Sequence, residues 1–163
     1  MNPIAVLKRV DFKNILKVIF IGMSHPLFIV PTIRATKDCI RISTDNYGRL
    51  HHKNGPANAF RHALWNYLIA KRCFHVRRNV DSVLGWAKKI TDWHEHAFPN
   101  AELAKKMDFH NNAVGRLVFR ENPEKTEREI IELLKSMTLV SVKVDSNTDF
   151  ESLITQLIHI LDQ

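Results

Sequence analysis

Polar side chains spaced four residues apart on three successive segments constrain this chain more than any other feature of its sequence. The three rows are Asn58/His62/Asn66, Thr91/Glu95 and Asp108/Asn112/Arg116. Residues four apart lie on one face of an α-helix. Because apolar residues occupy the neighbouring positions, each row predicts a helix whose polar stripe faces inward or lines a cleft. Three such helices in succession predict one shared polar cluster.

The fold class follows from apolar spacing together with the scarcity of chain-breaking residues. Only five glycines and six prolines occur in 163 residues, so the chain has few of the turn-forming residues that many short strands would need. A chain of this length can form one hydrophobic core of ordinary size, but it is too short for two domains that each have such a core. The sequence therefore predicts an all-α fold and a single domain over 1–163. We expect one compact bundle of about six to seven helices, with the motif core at 54–116.

The helix bounds follow from the periodic apolar runs and from the turn formers between them. The predicted helices span about 11–23, 31–42, 57–74, 79–97, 101–119, 123–137 and 148–161. Pro31 is expected in the first turn of the second helix, where its missing N–H costs least. Thr148 and Glu151 form a capping-box pattern that predicts the start of the last helix.

Two segments are predicted to be non-helical. Residues 43–56 are rich in turn formers and indicate a loop, in which we expect His51 and His52 to be solvated. Valines alternate between Val140 and Val144 as they would in a strand, so one short extended segment is expected near 139–144. The sequence offers that segment no partner strand.

The N-terminal helix and the segment after it allow two interpretations. Apolar residues of the first helix recur at helical spacing, while Arg9, Lys13 and Lys17 follow one another at intervals of four on another side. Residues 18–33 have no charged side chain apart from His25, but these 16 residues fall short of the roughly 20 that span a bilayer. We interpret the apolar residues as core, with the basic residues on a solvated face. Contact with an anionic membrane is the alternative.

The net charge and the cysteine content indicate which class of partner the protein binds and which cellular compartment it occupies. The net charge of +7 favours anionic partners, either a substrate or a membrane surface. Nucleic acid ranks below these because no recognised nucleic-acid motif is present. Cys39 and Cys73 are isolated, which disfavours a cysteine metal site and a disulfide framework. A cytoplasmic protein is the expectation, with a position at the periphery of a membrane as the alternative.

The predicted cluster has two chemical solutions, because buried polar groups must be paired or must bind an ion. In the first, a divalent metal ion is held by imidazole nitrogen and carboxylate oxygen. The candidate ligands are His62, Glu95, Asp108 and His110, with His94 beside them. A metal held in this way lowers the pKa of a bound water or polarises an ester.

The second solution needs no metal. Glu95 or Asp108 orients His62 as a general base, and an arginine receives the anionic group of a substrate. The candidate catalytic residues are then His62, Glu95, Asp108 and His94, and the candidate substrate-binding residues are Arg61, Arg116, Asn58, Asn66, Asn111 and Asn112. A purely structural hydrogen-bond network that fixes helix packing is the third interpretation.

Three sequence blocks resemble a known family. The runs NGPANAFRHALWNYLIAKRC, WAKKITDWHEHAFPN and MDFHNNAVGR occur in order over about 54–116 and are similar to the motifs of the bacterial DUF6973 type of domain. The matching residues are Asn58, Arg61, His62, Trp65, Asn66, His94, Glu95, Asp108, Asn111, Asn112, Gly115 and Arg116. Many relatives have Asp where this chain has Asn58, which argues against an anionic ligand at that position.

The resemblance implies which residues form the functional site, but it says little about the reaction. Domains of this type also stand at the ends of proteins that resemble secreted toxins, which implies a hydrolytic or membrane-damaging activity. The inward His, Glu, Asp and Asn side chains, the flanking arginines and the basic first helix predict a hydrolase of an anionic ester, such as a phospholipid or another phosphoester. The alternatives are a non-catalytic helical module that binds an anionic partner, and a toxin-like effector relative whose polar cluster is structural.

Overall fold

The computed structural model describes residues 11–161, and the elements in that range are six α-helices and two very short strands. The helices are α1 (Phe12–Ser24), α2 (Pro26–Tyr47), α3 (Pro56–Val76), α4 (Val80–Ala97), α5 (Glu102–Glu121) and α6 (Glu127–Leu139). The strands are β1 (Val142–Lys143) and β2 (Ile158–His159), and single 3-10 turns span Leu50–His52 and Phe150–Leu153. The predicted all-α class is confirmed.

Helix α3 is the centre of the bundle. It packs against α2, α4, α5 and α6, and side chains on every side of it are buried. Its closest neighbour is α5, because Gly115 lies directly against the backbone of Ala63. A Cβ at position 115 would stand 2.2 Å from the carbonyl oxygen of Ala63. This close crossing brings the polar row of α3 within reach of the polar row of α5.

Helix starts follow the local signals of the sequence. Asp11 caps α1 by accepting from the N–H of Asn14 at 2.8 Å, and Asn79 caps α4 in the same way. Thr126 and Glu129 form a complete capping box at α6. These caps place the first residue of each of the three helices.

Helix α2 is longer than predicted at both ends. It begins at Pro26, so Pro31 is an interior residue, and the expectation that Pro31 stands in the first turn is wrong. The missing N–H of Pro31 affects a single helical bond, to the carbonyl of Leu27. At the other end, Thr44 and Asn46 donate to carbonyls of the preceding turn, and the helix ends at Tyr47, followed by Gly48, whose φ is 56°. The predicted loop therefore starts later.

The predicted final helix is wrong. The hydroxyl of Thr148 donates to Asp145 and accepts from its N–H, so these residues close a turn and form no capping box. Only the single 3-10 turn follows, and β2 then pairs in parallel with β1. The extended segment predicted near 139–144 is present, but it has the partner that the sequence did not reveal.

The expected burial of the N-terminal apolar segment is confirmed for Phe28, which lies in the main core, and in part for Ile21, which packs against it, but not for most of the rest of the segment. Helix α1 has no buried residue. It packs against α2 and against α4, where Nε1 of Trp93 donates to the carbonyl of Asn14 at 2.9 Å. Several large apolar side chains of α1 and of the start of α2 are exposed. Among the described helices, none is by itself long and apolar enough to cross a membrane. The pair α1 and α2 passes that test together, but is bent by 117°.

Candidate active site

The polar rows of α3, α4 and α5 meet in the interior of the bundle. His62, Glu95 and Asp108 each offer a ligand atom, and these atoms all lie within 4.8 Å of one another. All three side chains are buried. Three helices therefore contribute one titratable group each to a single cluster, which we call the triad.

Both ring nitrogens of His62 are engaged. Nδ1 lies 3.2 Å from Oδ1 of Asn112 and 3.5 Å from Oε1 of Glu95. Nε2 lies 2.8 Å from a guanidinium nitrogen of Arg61 and 3.2 Å from Oδ1 of Asp108. A guanidinium can only donate, so Nε2 accepts. The proton of the neutral ring is therefore on Nδ1.

Amide side chains hold the two carboxylates in place. Asn112 donates to Oε1 of Glu95 at 3.0 Å, and Asn58 donates to Oδ1 of Asp108 at 3.2 Å. Asn100 donates to the second oxygen of Asp108 at 3.1 Å. Sequence reasoning missed Asn100, because it lies in the connection between α4 and α5 and belongs to no helical row. Its only signal was the helix-breaking Phe-Pro-Asn run that brings it next to the start of α5.

Asn66 connects the hydrogen bonds of the triad to Thr91 and Arg116. Its amide nitrogen donates to Oδ1 of Asn112 at 2.6 Å. Its oxygen accepts from Thr91 at 3.2 Å and from Arg116 at 2.8 Å. Arg116 therefore contacts the network through Asn66 and not through the triad. The whole row predicted on α3 takes part in one connected set of hydrogen bonds.

Burial shifts the protonation of the triad. It lowers the pKa of His62 well below 6.5, and the nearby Arg61 and His94 lower it further. Burial and the neighbouring Asp108 raise the pKa of Glu95 to about 7. Burial raises the pKa of Asp108 to about 6, although Arg61 opposes this shift. At neutral pH the imidazole is uncharged, so its contacts with the carboxylates are not ion pairs, and Glu95 is poised to exchange a proton.

The triad lies one layer beneath the surface. Arg61 and His94 are half-buried and Asn100 is exposed, so these three residues stand between the triad and solvent. His94 packs edge-on against Trp65, with ring centroids 5.1 Å apart, and burial together with Arg61 lowers its pKa to about 4. At physiological pH, His94 is therefore uncharged, and it forms part of the boundary of the site.

Two predicted site residues are directed elsewhere. Nε2 of His110 lies 2.9 Å from the carbonyl oxygen of Gln156, away from the triad. Asn111 binds the backbone of Ile158 in β2 through both ends of its amide. Within the described residues, the group that could hold a metal ion is therefore the triad without His110.

One histidine of the predicted loop is not solvated. His51 is buried, packs at 3.9 Å between ring centroids against the exposed His52, and has Nε2 3.1 Å from the hydroxyl of Thr44. Burial and His52 lower the pKa of His51 to about 4. The expectation for His51 is wrong because α2 extends into the predicted loop and covers it.

The triad suits a divalent cation by its chemistry. One imidazole nitrogen and two carboxylate oxygens are ligands that Zn²⁺, Mn²⁺ and Fe²⁺ accept, whereas Mg²⁺ and Ca²⁺ favour oxygen alone. Burial is the main cause of the raised pKa values of Glu95 and Asp108, and a bound cation would favour the ionised form of both carboxyl groups. Arg61, at 2.8 Å from His62, is the nearest cation to the imidazole and would have to turn aside.

Comparison with known proteins identifies one family. The sequence model described as "Domain of unknown function (DUF6973)" matches residues 19–141, which include every residue of the triad and of its amide partners. No curated protein matches the chain. No solved structure matches it either. Because the match covers most of the sequence, the chain belongs to the DUF6973 family.

Proposed function

We propose that this protein is a hydrolase of an anionic ester, of the phosphoester or phospholipid class, with the triad as a metal-assisted active centre. The observation that supports the proposal is the buried meeting of His62, Glu95 and Asp108, whose ligand atoms lie within 4.8 Å of one another. A divalent cation between the two carboxyl groups would favour their ionised forms, which burial and their mutual repulsion oppose. Titratable groups with strongly perturbed pKa values are typical of functional sites.

The chain's own residues supply proton transfer. Without a bound ion the pKa of Glu95 is about 7. With an ion bound to one oxygen of this carboxylate, the other oxygen would accept a proton from water and return it to the leaving alcohol. The oxygen of water bonds to phosphorus, the bond from phosphorus to the alcohol oxygen breaks, and the products are a phosphate and an alcohol. A bound divalent ion supplies Lewis acidity and lowers the pKa of a coordinated water.

Arg61 is suited to receive the anionic group of the substrate. It is half-buried between solvent and the triad, and its guanidinium lies 2.6 Å from Asn58 and 2.8 Å from His62. Arginine binds phosphate oxygens through two parallel hydrogen bonds. A phosphate that draws Arg61 outward would leave Nε2 of His62 free to bind a metal ion.

The test combines metal binding with hydrolysis. Protein stripped with a chelator is titrated with Mn²⁺ and with Zn²⁺ by calorimetry, and hydrolysis of bis(p-nitrophenyl) phosphate and of phosphatidylglycerol is then measured. We expect binding of one ion and activity in the wild type, and loss of both in Asp108→Asn and Glu95→Gln. Glu121→Gln changes an exposed carboxylate at the end of α5 and serves as the control. Undiminished hydrolysis in Asp108→Asn would contradict the proposal.

A structural role for the cluster is the competing proposal, and one observation favours it. The buried side-chain polar atoms without a hydrogen-bond partner, within the described part of the chain, lie on His51, Arg72 and Asp92 and not in the triad. A fully paired network can specify helix packing without chemistry. In that case His62→Ala would lower the melting temperature of a protein that binds no metal ion and hydrolyses neither substrate.

A further inference from the structure

The outer side of α1 and of the first turns of α2 is an exposed apolar surface. We call it the apolar patch, and its side chains are Phe12, Leu16, Ile19, Phe20, Met23, Leu27, Val30 and Ile33. Phe20 is 75% exposed, and Leu27 is 73% exposed. Contiguous exposed apolar surface of this kind is rare on soluble proteins and marks sites of contact with other molecules or with membranes.

The patch exists because α1 uses only one of its two apolar faces for packing. Ile15, Val18 and Ile21 lie on the side turned towards the bundle and are half-buried. Phe12, Ile19 and the rest of the patch on α1 recur at intervals of three and four on a different side of the same helix. The fold of the bundle does not use that second face, so packing alone does not explain its hydrophobicity.

Basic side chains border the patch, and the nearest acidic residues in the sequence are Asp11, which caps α1, and Asp38. From Phe12 to Lys37 the sequence contains no aspartate or glutamate. Lys13 and Lys17 lie beside the apolar stripe of α1, at the next positions around the helix. On α2 the exposed side changes from apolar residues, ending at Ile33, to Arg34 and Lys37. Within the described residues, none of these four basic side chains forms an ion pair.

We propose that the apolar patch docks on the surface of an anionic phospholipid bilayer. The apolar side chains would enter the boundary between headgroups and acyl chains, and the four basic side chains would contact lipid phosphates. Insertion stops at this depth, because the opposite face of α1 packs on α4 and because α1 and α2 are bent by 117° relative to each other. The protein therefore lies on the membrane and does not cross it.

The charge pattern favours a bilayer over a second copy of the chain. Two copies that met through this patch would bring their basic borders together without any carboxylate from Phe12 to Lys37 to offset them. An anionic lipid surface removes that repulsion. The proposal does not rest on the hydrolase proposal, because docking needs none of the triad residues.

The test is flotation of the full-length protein with lipid vesicles. Vesicles of phosphatidylcholine alone are compared with vesicles that contain about 30 mol% phosphatidylglycerol. We expect strong binding to the anionic vesicles and much weaker binding to the neutral ones. Binding should also fall as NaCl is raised from about 0.05 to about 0.5 M, because salt screens the contribution of the basic side chains.

Paired variants separate the apolar and the basic contributions. Phe20→Ser with Met23→Ser should lower partitioning into anionic vesicles by about tenfold or more, because two large apolar side chains are lost. Lys13→Gln with Lys17→Gln should lower it by about tenfold on anionic vesicles alone. The matched control is Leu139→Ser with Val140→Ser, a pair that is equally exposed but lies at the far end of α6. All variants change exposed side chains and should keep the wild-type melting temperature.

Three outcomes would overturn the proposal. The first is a wild type that floats with neither vesicle. The second is unchanged binding of the Phe20→Ser, Met23→Ser variant, or equal loss in the Leu139→Ser, Val140→Ser control. The third is a dimer, seen by sedimentation, that the Phe20→Ser, Met23→Ser change dissociates while the wild type shows no vesicle binding. That last result would assign the patch to self-association.

Discussion

Nε2 of His62 lies 3.2 Å from Oδ1 of Asp108, although the two residues belong to different helices and are 46 positions apart in the chain. Their proximity depends on how closely α3 and α5 cross. The crossing is set by Gly115, whose missing side chain allows contact with the backbone of Ala63. The chemistry of the triad is therefore coupled to one glycine that makes no contact with a substrate.

The first prediction concerns this crossing. Gly115→Ala should lower the free energy of unfolding by about 3 kcal/mol or more, because the new Cβ meets backbone that cannot turn aside. The contact distance would be 2.2 Å to the carbonyl oxygen of Ala63. Urea unfolding measures the change, and the variant should also lose metal binding as the helices separate.

Gly85→Ala is the matched control for that variant. Gly85 is an exposed residue of α4, and a Cβ there meets nothing within 4 Å. Because alanine favours helix over glycine by about 1 kcal/mol, this substitution should stabilise the protein. Equal effects of the two substitutions would show that the α3–α5 crossing is looser than the structure describes.

The second prediction separates two adjacent asparagines of α5. Asn111 binds the N–H and the carbonyl of Ile158, which the pairing with β1 leaves without partners. Asn111→Ala should therefore cost about 2–4 kcal/mol, because two buried backbone groups lose their partners. Protection of Ile158 from hydrogen exchange should fall, while metal binding stays at the wild-type level.

Asn112 is the contrasting position, one residue further along the helix. It contacts His62, Asn66 and Glu95, so Asn112→Ala should weaken metal binding and leave the exchange of Ile158 unchanged. A loss of metal binding in Asn111→Ala, with β2 still protected, would instead assign Asn111 to the site.

The sequence predicted side-chain positions correctly where helical periodicity alone determines on which side of a helix a residue lies. Residues four apart share a face, so the rows through His62, Glu95 and Asp108 could be placed on one side of each helix without coordinates. His110 and Asn111 are off that row by two and three positions from Asp108. Their position on the helix directs them to the C-terminal segment, whose course the sequence did not predict.

The C-terminal segment shows why apolar spacing can mislead. The spacing of Phe150, Leu153 and Leu157 fits a helix. In the structure, however, Phe150 and Leu153 lie in a 3-10 turn, and Leu157 directly precedes β2. Phe150 and Leu153 pack on a small second core of Met107, Val144 and Ile158. Leu157 is buried in the main core, but Ile154 and Leu161, which share the helical spacing, are exposed. The pattern therefore predicted neither the backbone nor the full set of buried residues.

The third prediction concerns His51, a buried histidine outside the triad. Its pKa is about 4 in the folded protein and near 6.5 in the unfolded chain, so between these values the unfolded state binds more protons. Its contribution to stability is therefore lost as the pH falls from 6.5 to 4. His51→Gln should make the protein less sensitive to acid over that window, as measured by urea unfolding at several pH values.

His96→Gln is the control for His51, because His96 is exposed on α4. It should leave the pH dependence of stability as it is in the wild type. An acid sensitivity that His51→Gln does not reduce would mean that His51 is accessible to water when folded.

The last prediction concerns Glu95, whose pKa is raised where that of His51 is lowered. The folded protein holds a proton on Glu95 up to a pKa of about 7, whereas the unfolded chain releases it near 4.5. Between these values the folded state binds more protons, so this group makes the metal-free protein less stable as the pH rises. The loss is complete above pH 7 and amounts to about 3 kcal/mol at most.

Glu95→Gln isolates that contribution, because glutamine keeps the shape and the oxygen that accepts from Asn112 but does not titrate. In the presence of a chelator, variant and wild type should differ little near pH 4.5, and the variant should become the more stable of the two towards pH 8. Subtracting the two pH profiles cancels the opposite contributions of His51 and His94, which both proteins share. On the proposed function, added metal ion should reverse the order at pH 8, because the wild type would bind it and the variant would not. A difference that stays flat from pH 4.5 to pH 8 would mean that Glu95 is solvated, and the buried triad would then lose one of its three members.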